Sequence, residues 1–140
     1  MVSILKVVDQ HFGADASRRS AGPCLRMASE RVTAREIIRS RVAAEVEDLK
    51  LRTRRHDGRQ TRSFIIKIAQ DSQEARLNSS ININGELEIE AECERAITEF
   101  ILRRYIMLLD DRQIDDIDEG VGLRPDSEVV FIYLVPLKGG

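Results

Sequence analysis

The chain has 140 residues, of which 42% are hydrophobic and 33% are charged, and its net charge is −2. This composition is ordinary for a globular domain, and no apolar run approaches the ~20 residues that a membrane-spanning helix needs. Residues 1–10 lack the basic start of a signal peptide. We therefore expect a cytoplasmic protein without a membrane partner.

The cysteines and histidines argue against a metal centre. Cys24 and Cys93 are far apart and form no CxxC motif, so we expect two reduced, structural thiols, as is usual in the cytosol. His11 and His56 have no cysteine cluster beside them. No zinc site is predicted from this pattern.

The first third of the chain predicts two strands separated by a loop. Residues 2–8 are rich in β-branched side chains and predict a first strand. Residues 11–22 are polar, with glycines near both ends, and predict a turn or loop. Residues 23–28, "PCLRMA", predict a second strand.

The strongest local signal is the start of a helix. Thr33 is a candidate N-cap, and Glu36 follows three residues later, which makes a capping box. Val32 and Ile37 have the spacing of a hydrophobic staple. An apolar stripe at helical spacing follows, and it predicts a helix at about 33–47: Ile38, Val42, Val46 and Leu49.

Two hairpins are predicted in the middle of the chain. The first has alternating apolar residues on both sides of Asp57-Gly58, namely Leu49, Leu51 and Thr53 before it and Phe64, Ile66 and Ile68 after it. The second alternates around Asn84-Gly85, a pair that suits a two-residue hairpin turn. Its apolar residues are Ile81, Ile83, Leu87 and Ile89.

A second helix is predicted at about 91–109, before an acidic turn. Its broad apolar face is typical of a helix that packs on a core and comprises Ala96, Ile97, Phe100, Ile101 and Leu108. The acidic stretch "DDRQIDDIDEGVGLRPDS" leads into a last strand at 128–135. The order of elements predicts an α+β fold.

The sequence after the last strand has an unusual shape. Pro136 has no N–H and ends the ladder, and Leu137 and Lys138 lead to Gly139-Gly140. Glycine has no side chain to obstruct a narrow channel. Such an arm suits a terminal carboxylate that another enzyme joins to AMP and passes on as an acyl group, so the catalytic groups would belong to the partners.

These segments resemble ubiquitin-like β-grasp proteins. The likeness lies in "VSILKVV", "PCLRMA", "TAREIIRSRVAAEV", the turn "LDDRQIDDI", and "SEVVFIYLVPLKGG" after "GLRPD". The chain is most similar to bacterial ubiquitin-like modifiers encoded beside E1-like, E2-like and JAB-type peptidase genes, in systems often linked to phage defence. The resemblance implies one β-grasp domain at 1–135, with residues of about 50–108 as an elaborated insertion and 136–140 as a flexible tail. It also implies that the strands at residues 2–8 and 128–134 are adjacent and parallel.

The same resemblance implies the functional residues and partners. Gly140 would be the acyl donor, Gly139 its neighbour in the activated tail, and Pro136, Leu137 and Lys138 would support binding to an E1-like adenylating enzyme. An E2-like conjugating enzyme, a JAB-type deconjugating peptidase and target proteins would be the other partners. The chain itself would need no cofactor, since ATP is used by the E1-like enzyme.

Two other functions remain open. Sulfur carriers of cofactor synthesis also end a β-grasp fold in a glycine pair, and they form a C-terminal thiocarboxylate. The extra ~60 residues favour a modifier over a carrier. The third alternative is a non-covalent β-grasp adaptor whose glycines are incidental. No nucleophile motif and no phosphate loop is present in the sequence, so we do not expect an enzyme.

Two charged clusters are interpreted as solvated surface. The basic cluster could neutralise phosphates, but it lacks aromatic residues for base stacking, so we do not expect nucleic-acid binding there: Arg52, Arg54, Arg55, Arg59 and Arg62. The acidic cluster lacks the ligand spacing of a calcium loop: Asp110, Asp111, Asp115, Asp116, Asp118 and Glu119.

Overall fold

A computed structural model of the protein describes residues 3–12, 17–55, 64–66, 68 and 89–134. The strands in these ranges are β1 (Ser3–Phe12), β2 (Ser17–Ala21), β3 (Leu25–Met27), β4 (Arg31–Thr33), β5 (Tyr105–Leu109), β6 (Arg112–Ile114), β7 (Gly120–Gly122) and β8 (Glu128–Leu134). The long helices are α1 (Ala34–Arg55) and α2 (Ile89–Ile101). The architecture is α+β with a mixed sheet, which is compatible with a β-grasp fold.

The main sheet places the last strand inside it. The described strand order is β2-β1-β8-β5-β6, and β3 also pairs with β1. β1 and β8 are parallel, in a register that runs from Lys6↔Glu128 to Phe12↔Leu134, whereas β8 and β5 are antiparallel. The prediction that the first and last strands are adjacent and parallel is confirmed. β4 and β7 form a separate antiparallel pair.

The start of α1 agrees with the sequence. The Glu36 N–H donates a hydrogen bond to Thr33 Oγ1 over 3.2 Å, so the predicted cap is formed. Val32 and Ile37, the predicted staple, are both buried. The apolar stripe of α1 packs on the inward faces of the strands. Together they form one hydrophobic core, which includes Leu5, Val7, Ile38, Val42, Met107 and Phe131.

The end of α1 corrects the first predicted hairpin. The helix continues to Arg55 instead of stopping near residue 47, so Leu49, Leu51 and Thr53 belong to a helix. Most residues between 47 and 55 are straight-chain helix formers, and no glycine or proline interrupts them. Three alternating residues were too few to outweigh that propensity.

The second half of that hairpin is also wrong. The Ile68 N–H donates to the Phe64 carbonyl over 3.1 Å, which closes a helical turn. Phe64, Ile65 and Ile66 are all buried, whereas a half-exposed strand would bury alternate residues. The Asp57-Gly58 turn lies outside the described residues, as do Ile81, Ile83, Asn84, Gly85 and Leu87 of the second predicted hairpin.

The second helix is shorter than predicted, and Leu108 lies on β5 instead. Arg103 adopts a left-handed conformation with φ of 60°. The Arg104 N–H bonds to the Glu99 carbonyl and the Arg103 N–H to the Phe100 carbonyl, which is the Schellman pattern that ends a helix. Arginine occupies the position where glycine usually announces this stop, so the sequence carried no clear signal.

Four short strands, β2, β4, β6 and β7, were not predicted. β2 forms from polar residues that were expected in a loop, and it pairs antiparallel with the second half of β1. β6 and β7 lie in the acidic stretch. Asp110 and Asp111, with φ of 48° and 68°, form the two-residue turn between β5 and β6, a left-handed geometry that aspartate tolerates better than most residues.

Candidate functional site

β8 is the strand that precedes the predicted functional segment in the sequence. It lies between β1 and β5, and Val129 and Phe131 are completely buried. β1 and β8 are parallel, and their described residues end side by side at Phe12 and Leu134. The residues predicted to act there, Pro136, Leu137, Lys138, Gly139 and Gly140, lie outside the described residues.

A buried ion cluster underlies this end of the sheet. Arg41 of α1 has no exposed side-chain surface, and its guanidinium contacts Asp9 of β1 and Glu45 one helical turn along α1. Arg41 Nη2 lies 2.7 Å from Asp9 Oδ2, and its Nε lies 2.6 Å from Glu45 Oε2. We call these three residues the buried cluster.

The charge of Arg41 is retained despite its burial. Burial lowers the pKa of the guanidinium, but the hydrogen bond to Asp9 and the charges of Glu45 and Asp9 outweigh it, so the pKa is raised. A buried charge is tolerated only when it is paired and hydrogen-bonded in this way. The guanidinium also lies 5.2 Å from the ring centre of Phe64 and 5.0 Å from that of Phe131, within cation–π range.

Glu45 extends the cluster to the middle segment of the chain. Its carboxylate accepts backbone N–H bonds from Phe64, Ile65 and Ile66 at 3.0, 3.2 and 3.1 Å. These are the free donors at the start of a helical turn, which an anion stabilises. The buried cluster therefore joins α1, β1 and residues 64–66.

A cleft of about 620 Å³ opens over the buried cluster. Its lining includes Asp9, His11, Gly22, Glu45, Asp48 and Phe64. The His11 ring makes edge-on contacts with Phe64 at 5.0 Å and Tyr133 at 5.9 Å between centroids. His11 is the cross-strand neighbour of Tyr133, so the cleft adjoins the point where the chain leaves β8.

Gly22 is required by the packing around this cleft. A Cβ there would lie 2.7 Å from Val7 Cγ1 and 3.0 Å from Arg41 Nη1, and both neighbours are buried. The Gly22 N–H also donates to the Val7 carbonyl over 2.9 Å. The missing side chain therefore lets the chain after β2 approach β1 and the buried cluster.

Two carboxylates and a histidine ring beside the cleft are held in place by neighbouring side chains. Both carboxylates of the buried cluster are bonded to Arg41, and the His11 ring contacts the aromatic rings of Phe64 and Tyr133. Among the described residues, no group of histidine, cysteine, aspartate and glutamate side chains is arranged to hold a metal ion. Cys24 and Cys93 are free thiols, and burial raises the pKa of Cys93.

One signal for the buried cluster is present in the sequence, although it was not recognised as a site. Arg41 and Glu45 lie four residues apart within the apolar stripe of α1, between Ile38, Val42 and Val46. A charged pair on the buried face of a helix needs partners from elsewhere. The identity of the third partner, Asp9, depends on tertiary structure.

The structure describes the side chains of the predicted acidic cluster but not those of the predicted basic cluster. Arg52, Arg54 and Arg55 fall in α1, while their side chains, together with Arg59 and Arg62, lie outside the described residues. The acidic cluster is interleaved with arginines in exposed ion pairs: Arg35–Asp118, Arg103–Asp115 and Arg112–Glu119.

The chain matches no protein-family model, and no curated protein or solved structure gives a match. None of the helices in the described residues is long and apolar enough to cross a membrane.

Proposed function

We propose that the protein is a ubiquitin-like modifier with an elaborated β-grasp fold, whose Gly140 carboxylate is activated by an E1-like enzyme and transferred to target proteins. The observation that supports it most is the placement of β8: an inner strand, parallel to β1, that leads directly to Pro136-Leu137-Lys138-Gly139-Gly140. A well-anchored strand followed by a slim arm is what a threaded acyl donor needs.

The proposed transfer of the Gly140 acyl group takes place on the partner enzymes in successive steps. A Gly140 carboxylate oxygen attacks the α-phosphorus of ATP, and pyrophosphate leaves. A cysteine thiolate of the E1-like enzyme then displaces AMP and forms a thioester, which passes to a cysteine of the E2-like enzyme. An amine or hydroxyl of the target finally displaces the thiolate. In the first step this chain supplies the attacking carboxylate oxygen, and in the later steps it supplies the acyl carbon that is transferred.

The length of the arm is adequate for this role. Five residues from Pro136 to Gly140 can span up to about 17 Å when extended. Gly139 and Gly140 add no side chain near the reacting carbon. The buried residues of β8 remain in the sheet while the arm is bound.

The test is an adenylation assay with the chain presented so that Gly140 is its C-terminus. With ATP and the cognate E1-like enzyme, we expect ATP–pyrophosphate exchange. Removing Gly139 and Gly140 abolishes the exchange, and Gly140→Asp does the same, because it adds bulk and negative charge beside the phosphate of AMP. Gly122→Ala is the matched control, since a Cβ at Gly122 meets no atom within 4 Å.

The products distinguish the competing functions. Conjugation leaves a Gly-Gly remnant on a lysine or serine after proteolysis, detected by mass spectrometry. Replacement of a terminal oxygen by sulfur, with no remnant on any protein, identifies a sulfur carrier and overturns the modifier. If the chain without Gly139 and Gly140 functions fully in cells, the modifier and the sulfur-carrier hypotheses are both overturned. The non-covalent adaptor is then the hypothesis that remains.

A further inference from the structure

A second cleft, of about 360 Å³, has no described lining residue in common with the first. It lies among β4, β6, β7 and the segment after β7. Its polar walls are Arg31, Arg112, Arg124 and Asp110, and its floor includes Gly120 and Gly122. We call it the arginine pocket. Three guanidiniums reach it from three different parts of the chain.

Two of the residues that line the arginine pocket are glycines, which leave space there because they have no side chain. Gly120 and Gly122 alternate on β7 with buried Val121, and Gly122 pairs across the strands with Arg31. Neither glycine has the positive φ that would require glycine, and a Cβ at Gly122 would meet no atom within 4 Å. At Gly120 a Cβ would lie 3.3 Å from Arg31 Nε, so packing against Arg31 favours glycine there. At Gly122 neither the backbone nor the packing requires glycine, whereas an occupant of the arginine pocket would.

The three arginines keep donors available. In the described part of the chain, the Arg31 guanidinium has no ion pair, and its Nε lies 3.3 Å from the position of a Cβ on Gly120. Arg112 makes one contact, with Glu119 at 2.6 Å. Arg124 makes a long contact of 3.5 Å with Asp110. The side chains of Arg112 and Arg124 are 76% and 67% exposed.

Among the described lining residues, Asp110 is the acidic one, and its oxygens are bonded to Ser127 and to the first residue of β8. They accept bonds from the Ser127 hydroxyl at 2.8 Å and from the Glu128 N–H at 3.0 Å. With Glu119 also counted, two carboxylates face three guanidiniums. The pocket therefore keeps a net positive charge together with unused N–H donors.

We propose that the arginine pocket binds the phosphate group of a small molecule, such as a phosphate monoester or a diphosphate. A guanidinium presents paired N–H groups that match phosphate oxygens, and the glycine floor allows close approach to the backbone of β7. The volume lies in the range of small-molecule sites. The lining contains no aromatic residue, which disfavours base stacking and hence single-stranded nucleic acid.

The test is a titration of the ¹⁵N-labelled chain with pyrophosphate at low ionic strength, followed by NMR. The Gly120 and Gly122 amide resonances shift, and sodium chloride of equal ionic strength does not reproduce the shifts. Arg31→Gln weakens binding roughly tenfold to a hundredfold, as expected for the loss of charge-assisted hydrogen bonds. Arg26→Gln, which removes an exposed charge on β3 outside the pocket, leaves binding unchanged.

A second variant tests the shape of the pocket. Gly122→Val fills the floor without removing a charge, and it abolishes binding while circular dichroism and the melting temperature confirm the fold. The proposal is overturned if Arg26→Gln weakens binding as much as Arg31→Gln, or if Gly122→Val leaves the affinity unaltered. Tighter binding of an RNA oligonucleotide at the same resonances also overturns it.

These results are independent of the modifier function. Arg31→Gln retains ATP–pyrophosphate exchange with the E1-like enzyme, because Arg31 belongs to β4 and not to the segment that carries Gly140. Loss of phosphate binding with exchange intact therefore concerns the arginine pocket alone.

Discussion

The protein uses arginine–carboxylate pairs in two contrasting places. The buried cluster has Arg41 between Asp9 and Glu45 beneath the first cleft. The acidic-turn pairs, Arg35–Asp118, Arg103–Asp115 and Arg112–Glu119, are exposed. Removing one buried partner leaves a charge in a medium that cannot solvate it, whereas water replaces a lost surface partner. The same kind of ion pair therefore contributes strongly to stability in the buried cluster and little at the surface.

The largest effect is expected from Arg41→Ala. It leaves Asp9 and Glu45 buried without their cation and removes the contacts with Phe64 and Phe131. Breaking a buried pair in this way costs about 3–5 kcal/mol of unfolding free energy. Arg39→Ala on the same helix is the matched control, because Arg39 pairs with exposed Glu90. Urea denaturation of both variants measures the difference, and equal losses would contradict the comparison.

A smaller, pH-dependent effect is expected from Asp110→Asn. Burial acts to raise the pKa of Asp110, but bonds from the Glu128 N–H and the Ser127 hydroxyl, with the charge of Arg124, hold it below the ordinary value of 3.8. Its stabilisation is therefore fully present above pH 3.8 and is lost as the pH falls through the lower, folded pKa.

At neutral pH the free energy of unfolding of the Asn variant should be lower by about 1 kcal/mol. This is the value of a hydrogen bond to a charged group, reduced because the site is partly exposed to solvent. The difference from the wild type should shrink as the solution is acidified past the folded pKa. Asp111→Asn, at the adjacent exposed turn position, is the control. Thermal melts across this pH range measure the gap, and a gap that widens in acid would refute the assignment.

The smallest effect is expected from Asp118→Asn. The hydrogen bond from Arg35 lowers the pKa of Asp118, yet both side chains are exposed. The denaturation midpoint should not move measurably, and added salt should leave wild type and variant alike. A loss comparable to that of Asp110→Asn would show that the acidic turn is held by its ion pairs.

Local chemistry made part of the fold predictable. The capping box at Thr33 and the apolar stripe of α1 depend on residues close in sequence, and both are present as expected. The first and last strands were identified from their β-branched residues, and their parallel pairing came from the resemblance to β-grasp proteins. The residues assigned to the tail lie beyond the described part of the chain.

The errors arose where two periodicities fit the same residues. Residues 49–53 alternate, but they also continue a helix, and length and propensity decided for the helix. The run at 105–109 extends an apolar helical face, yet it follows a left-handed Arg103 and becomes a strand. β2 has a polar sequence, so its strand conformation comes from pairing with β1.

The two clefts were beyond sequence reasoning for a different reason. The buried cluster joins residues 9, 41 and 45 with the backbone of residues 64–66, and the arginine pocket joins β4, β6 and β7. No local pattern encodes such distances. The charged pair Arg41 and Glu45 within the apolar stripe of α1 indicates that other buried polar groups must pair with it, but it does not identify them.

The parallel pairing of β1 and β8 also has a mechanical consequence. A force that pulls the C-terminal end of β8 away from the N-terminal end of β1 acts along both strands in opposite directions. The bonds between Lys6↔Glu128 and Phe12↔Leu134 are then loaded together in shear, and none is peeled open first. An arm drawn into a narrow channel would therefore transmit tension to the centre of the sheet, where the molecule is built to resist it.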